Sequence, residues 1–248
     1  MTGNNSSVLA GTKTILLDLD DTLLVNPMTV FIPAYISRFC EFVGDLVAPE
    51  IFKSSLLQGV QAMEKDLDPF LSNAEVFFSE FFSRVGVEES RLRPRLESFY
   101  SEEYPKLAEL ARPADFGREI VEKTFQAGWE VVIATNPLFP RSALEQRLDW
   151  ADLPVTEFKF SLVTAFEDMH AAKPHPEYYW EILHCLGRDP GDCIMVGDDW
   201  ERDMVPASSI GIRVFWIDGQ ETPPPGPIPS ELWLGQGSLE ELMHILWS

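Results

Sequence analysis

The stretch ILLDLDDTLL, residues 15–24, sets three aspartates within four positions between two apolar runs. The leading run is aliphatic and has the composition of a buried strand. Asp18, Asp20 and Asp21 stand at or just beyond its end, where burial and mutual repulsion both oppose their charges. Such a cluster needs either open water at the strand end or a positive group among the carboxylates.

The strand reading extends outward from 14–18 to four more apolar runs. They are EVVIAT at 130–135, FKFSLV at 158–163, CIMVG at 193–197 and IRVFWI at 212–217. Helical patterns separate the later ones: 141–150, 176–186 and 201–209. In the second of these Tyr179, Ile182, Leu183 and Leu186 recur at helical spacing. Near-continuous apolar strands alternating with helices predict a parallel sheet covered on both faces, an α/β fold.

The first gap breaks that rhythm. Over a hundred residues separate the first two strands, where a crossover needs only about a dozen. Helical patterns at 31–43, 49–67, 74–85 and 91–107 fill the gap, so it reads as a helical insertion. Phe77, Phe78, Phe81, Phe82 and Val85 form a stripe on one helix face and predict a small core of its own. Residues 115–127 are the expected crossover helix, stopped by Gly128. TPPPGPIP at 222–229 reads as a surface loop, since its prolines exclude helix and central strand. An amphipathic helix at 239–247 closes the chain.

Composition narrows the function classes. The net charge of −21, from 19 basic and 40 acidic residues, argues against nucleic acid or an anionic membrane as partner, because both reward clustered Lys and Arg. The cysteines Cys40, Cys185 and Cys193 are odd in number and form no CxxC. That predicts neither a disulfide framework nor a zinc site and fits a reducing, cytoplasmic setting. The N-terminal MTGNNSSVLAG lacks the features of a signal peptide, and no run approaches the roughly 20 apolar residues of a membrane span. Monomer and homodimer are both compatible with the sequence.

In an open parallel α/β sheet, ligands bind beyond the carboxyl ends of the strands. There this chain sets Asp18, Asp20 and Thr22 after the first strand, and Thr135 and Asn136 after the second. Lys173 follows the third, and Asp198, Asp199 and Asp203 follow the fourth. Converging carboxylates call for a cation, and Mg²⁺ suits a hard, all-oxygen donor set. With Lys173 and the Thr135 hydroxyl beside it, the site suits a phosphoryl group. An aspartate at a strand end can attack phosphorus covalently, and a second carboxylate two residues on can protonate the leaving alcohol and then activate water.

DLDDT (18–22), VVIATN (131–136), AAKP (171–174) and VGDDWERD (196–203), in that order, resemble the motif set of the haloacid dehalogenase superfamily, in its phosphatase form. The resemblance implies Asp18 as nucleophile and metal ligand, and Asp20 as acid/base with its backbone carbonyl on the metal. It implies Thr135 and Lys173 as phosphoryl-binding and catalytic groups, Asn136 as a further substrate contact and Asp198 as a metal ligand. Thr22, Asp199 and Asp203 are supporting residues, with Thr22 expected to hold the turn by hydrogen bonding and Asp203 to sit near Lys173. Asp21 is expected to be a bystander.

The implied architecture is a three-layer Rossmann-like core from residues 12–27 and 112–248. An α-helical cap occupies 28–111, a small flap 23–33, and 1–11 form a disordered tail. The implied activity is Mg²⁺-dependent hydrolysis of a small phosphorylated metabolite, a nucleotide or sugar phosphate among the candidates, through an aspartyl phosphate. A phosphomutase or another hydrolase on the same scaffold, or a non-catalytic binding module, are the alternatives.

Overall fold

The computed structural model describes residues 11–217 and 223–247. The expected tail lies outside the described residues except for Gly11, as does Thr222 of the proline-rich loop. The sheet has six strands: β1 (Thr14–Leu17), β4 (Glu130–Ile133), β5 (Leu162–Val163), β6 (Cys193–Gly197), β7 (Arg213–Ile217) and β8 (Trp233–Gly237). All pair in parallel, in the order β5-β4-β1-β6-β7-β8. A separate two-stranded ribbon joins β2 (Leu24–Val25) to β3 (Arg112–Pro113), antiparallel.

Alternation along the strands builds the layers. Ile15, Leu17, Val131, Ile133, Ile194 and Val196 pack with α5 (Gly117–Gln126), α6 (Arg141–Trp150) and α9 (Leu239–Trp247). Leu16, Val132, Ala134, Cys193 and Met195 face α7 (Pro176–Leu186) and α8 (Val205–Ser209). Every β1 residue is buried, as a central strand covered on both faces requires. The chain builds outward from β1 through β4 to β5, then crosses back to β6 beside β1. The strand order therefore reverses between β1 and β6, the switch point where such sheets open a crevice.

Between β2 and β3 lie α1 (Met28–Phe42), α2 (Pro49–Lys65), α3 (Asn73–Val85) and α4 (Glu89–Glu102). They share an aromatic core that includes Phe39, Phe52, Phe77, Phe81 and Phe99, with Ala143 and Phe166 of the sheet domain beneath it. The phenylalanine stripe is split. Phe77, Phe81 and Val85 are buried, whereas Phe78 and Phe82 lie half-buried, with the Arg93 guanidinium 3.9 and 5.4 Å from their ring centres. Ser72 and Glu75 close a capping box at the start of α3.

Five expectations change. The helix expected at 91–107 ends at Glu102 and gives way to a 3₁₀ segment, Tyr104–Leu110. Pro105 has no N–H for the helical ladder and disfavours helix at Tyr104. The strand expected at 158–163 shrinks to Leu162–Val163, because Phe158 sits in a turn bonded to Pro154 and its ring stacks on Phe125. The flap expected at 23–33 is shorter, since α1 begins at Met28 and carries Pro33 at an exposed position. Residues 200–204 form a wide π-type turn ahead of α8 rather than its first turn. The loop at 223–229 leads into an unexpected sixth strand, β8. Among the described residues no helix is long and apolar enough to cross a membrane.

Candidate active site

The crevice at the switch point encloses about 320 Å³ and is lined by Asp18, Asp20, Thr135, Asn136, Lys173, Asp198, Asp199 and Asp203, among others. Eight of the nine residues picked out by sequence line it, and Thr22 does not. Asp18 continues β1, its N–H bonded to Val196 O of β6 at 2.9 Å. Lys173, brought in just before α7, is almost fully buried. Its Nζ donates to Asp18 Oδ1 at 2.7 Å and to Asp203 Oδ1 at 2.5 Å. The carboxylate oxygens of Asp18, Asp198 and Asp203 approach within 4.8 Å of one another.

Three acids and one lysine leave the cluster short of positive charge. Burial pushes the Asp18 carboxyl well above the usual carboxylate range; Lys173 opposes this, and Asp203 and Asp198 add to it. Asp198 is pushed up to about 7 by burial, then by Asp203 and Asp21. Asp203 is raised by burial against the pull of Lys173. Burial disfavours the Lys173 charge as well, yet Asp18 and Asp203 outweigh it and hold the ammonium well above its ordinary range. A divalent cation would relieve all three carboxylates, and the all-oxygen donor set fits a hard ion.

The side expected to meet phosphoryl oxygens is equally constrained. The Thr135 carbonyl accepts from Tyr178 Oη at 2.8 Å and from Thr164 Oγ1 at 2.7 Å, which fixes the end of β4. Asn136 Oδ1 accepts the Lys173 backbone N–H at 3.1 Å. Its Nδ2 is buried and has no partner among the described residues. A donor left open beside Thr135 and Lys173 suits an anionic oxygen.

Asp20 points elsewhere. Asn26 Nδ2 donates to its Oδ1 at 3.0 Å, and Arg147 Nη1 of α6 donates to its Oδ2 at 2.5 Å. Asp20 is therefore on the crevice wall but outside the three-carboxylate cluster. Asp199 caps the turn that follows, its Oδ1 accepting Glu201 and Arg202 N–H groups at 3.0 Å. Asp203 Oδ2 accepts the Asp199 N–H at 3.2 Å. Thr22 does not hold the turn through its side chain: Oγ1 is buried without a partner among the described residues. Backbone bonds from Thr22, Leu23 and Leu24 to Leu19 O hold it instead. Asp21 adopts the left-handed region at φ 56° and accepts the Asn26 N–H at 2.9 Å. It shapes the turn.

Sequence reasoning passed over Arg147, Asn26 and Tyr178. Arg147 had a readable signal, because Ala143, Leu144, Arg147 and Leu148 form one buried helix stripe.

The chain is similar to proteins already known. Pyrophosphatase PpaX of Bacillus cereus (strain AH820) is 26% identical over 201 residues, 81% of each chain. The crystal structure of a HAD phosphatase from Thermococcus onnurineus shares the fold with TM-score 0.57 and 20% identity over 95% of this chain and 98% of that one. A 2-haloacid dehalogenase from Pseudomonas syringae pv. Tomato DC3000 gives TM-score 0.63 and 17% identity over 96% and 100%. The haloacid dehalogenase-like hydrolase model matches residues 12–211, most of the chain and all four motifs, and the chain belongs to that hydrolase family.

Proposed function

We infer that the chain is a Mg²⁺-dependent phosphatase that cleaves a small phosphate monoester through an aspartyl phosphate on Asp18. The observation that carries this reading is the buried cluster at the switch point: Asp18 bonded to Lys173, with Asp198 and Asp203 within ligand distance. Asp18 and Asp198, with the Asp20 backbone carbonyl, are the residues that would hold Mg²⁺, which when bound neutralises phosphoryl charge.

Lys173, Thr135 and the Asn136 amide bind and orient the phosphoryl oxygens. An Asp18 oxygen forms a bond to phosphorus as the ester P–O bond breaks, and the departing alkoxide takes a proton from the Asp20 carboxyl. Asp20, now ionised, takes a proton from a water molecule whose oxygen attacks phosphorus. The Asp18–phosphorus bond breaks and inorganic phosphate leaves, so one ester and one water give one alcohol and one phosphate. In this reading α1–α4 act as a cap over the crevice, and the free cysteines Cys40, Cys185 and Cys193 fit a cytoplasmic setting.

Hydrolysis of p-nitrophenyl phosphate with added Mg²⁺ tests the proposal. Activity should disappear with EDTA and in Asp18→Asn, and quenched wild-type enzyme should carry a phosphoryl group on the peptide containing Asp18. Undiminished turnover in Asp18→Asn sinks the mechanism. The 26% identity to a pyrophosphatase supports a second reading, with pyrophosphate as substrate. It requires cations for a second phosphate. Lys173 is committed to two aspartates, and Arg202 lies 3.7 Å from Glu64 and 3.9 Å from Asp199. The monoester reading is favoured for that reason.

A further inference from the structure

Beside the catalytic crevice lies a larger cavity of about 560 Å³, walled by the helical insertion and by residues that follow β4 and β5. Its size lies within the roughly 300–1,000 Å³ of small-molecule pockets, and close-packed interiors leave few voids larger than a water. Phe39 of α1, Leu56 of α2, Phe77 and Phe81 of α3, Leu96 of α4 and Phe166 form its walls. Ile32, Leu138 and Phe139 line both this cavity and the crevice. These shared apolar residues, the neck of the reading proposed below, stand between Thr135, Asn136 and Lys173 on one side and the aromatic chamber on the other.

Polar groups at the chamber are engaged or at its rim. Tyr35 and Tyr100 bond to each other through their hydroxyls at 2.9 Å. Arg93 is paired with Glu89 and stacked over Phe78. Glu167 accepts the Arg141 N–H at 3.0 Å. Glu97 and Ser142 are exposed. A sugar or nucleobase entering here would lose its water without gaining comparable partners, whereas an apolar group would lose nothing.

We propose that this chamber receives the alcohol half of the substrate, and that the substrate is the phosphate monoester of an apolar alcohol, aryl or alkyl. The inference rests on the phosphatase reading above and gives its substrate class. Phosphate sits with Thr135, Asn136 and Lys173, and the ester oxygen lies near the neck. The hydrocarbon passes between Ile32 and Phe139 into the aromatic walls. Nucleotide and sugar phosphates, the sequence-based candidates, are disfavoured.

The test is phosphate release by the full chain with Mg²⁺ from ethyl, hexyl and dodecyl phosphate, phenyl and 2-naphthyl phosphate, ribose 5-phosphate, AMP and pyrophosphate. The alkyl esters have leaving groups of similar reactivity, so chain length reports binding alone. From ethyl to hexyl, kcat/KM should rise about tenfold or more. Naphthyl should exceed phenyl phosphate if the chamber prefers flat rings, and dodecyl should exceed hexyl if it prefers chains; either ordering supports the proposal. In Val60→Trp, which fills part of the chamber, the hexyl-to-ethyl ratio should fall towards one. Robust turnover with no dependence on chain length, or a preference for AMP or ribose 5-phosphate, overturns the chamber assignment and leaves the monoester phosphatase reading standing, whereas a preference for pyrophosphate overturns both in favour of the second reading. No phosphate release from any ester, p-nitrophenyl phosphate included, overturns both.

Discussion

Arg147 of α6 is fully buried and places Nη1 2.5 Å from Asp20 Oδ2, while its guanidinium lies 4.4 Å from the centre of the Phe139 ring. The bond fixes the carboxyl that the proposed mechanism uses as acid and base. Asn26 holds the other oxygen at 3.0 Å. Arg147 thereby ties the acid/base to the same Phe139 that forms the neck of the apolar chamber.

Replacing Arg147 should therefore damage proton transfer more than phosphoryl binding. In Arg147→Met, kcat on hexyl phosphate should fall about ten- to a hundredfold, part of the usual general-acid contribution. p-Nitrophenyl phosphate has a leaving group that departs without a proton, so its kcat should fall only a few-fold. KM for both should change little. Equal losses on the two substrates would mean that Arg147 supports the fold and does not position Asp20.

Lys173 sits between two buried carboxylates, and its removal should be costly in a different way. Lys173→Met leaves Asp18 and Asp203 without their shared partner. Breaking a buried ion pair from one side costs about 3–5 kcal/mol, so the melting temperature should drop clearly in EDTA. Mg²⁺ should restore part of that loss by taking over charge compensation. In Lys173→Met/Asp203→Asn the penalty should be smaller than the sum of the single changes, a coupling that thermal or urea unfolding would read directly. Strict additivity would contradict the shared-partner geometry.

The sheet was legible because four strands carry continuous β-branched or aliphatic runs, and the crevice because each run ends in chemistry-bearing residues. What escaped depends on tertiary context. Arg147 shares a helix stripe with Ala143, Leu144 and Leu148, which marks it for burial, but the stripe does not say that α6 passes beside Asp20. β8 escaped because WLGQG carries two glycines, poor strand formers, and exists as a strand through pairing with β7. The aromatic stripe of α3 predicted a core, but not that the helices would leave a chamber beside it. Asp20 was legible at the end of the first strand, but not the bonds from Arg147 and Asn26 that fix its side chain.

The carboxylate cluster sets a pH dependence whose sign follows from Asp198. Its carboxyl is raised from 3.8 to about 7 by burial and by Asp203 and Asp21. Between those values the folded metal-free protein holds a proton that the unfolded chain has released. Stability from this group is fully present below 3.8 and is lost as pH rises through about 7. Mg²⁺ binding requires the ionised form and should become tighter over the same window. Thermal melts should show a larger gain on adding Mg²⁺ at about pH 8 than at about pH 5. A gain independent of pH would mean that Asp198 does not bind the ion.

Gly197 ends β6 directly beneath Asp203. A Cβ at position 197 would lie 2.6 Å from Asp203 Cγ and closer still to Oδ2. Neither contact is tolerable, so Gly197→Ala must displace the Asp203 carboxylate. Asp203 holds Lys173 at 2.5 Å, and Lys173 holds Asp18 at 2.7 Å. The displacement therefore passes to Asp18, the proposed nucleophile, through two hydrogen bonds. Overpacking of this kind costs about 1–3 kcal/mol of stability, a modest loss for a chain of this size. Activity should fall much further, by about a hundredfold, as for a misplacement of about 1 Å in a reacting group. Asp203→Ser in the Gly197→Ala background relieves the clash but leaves Lys173 without its second carboxylate, so turnover should stay low. Full activity in Gly197→Ala would show that Asp203 is free to move without disturbing Asp18.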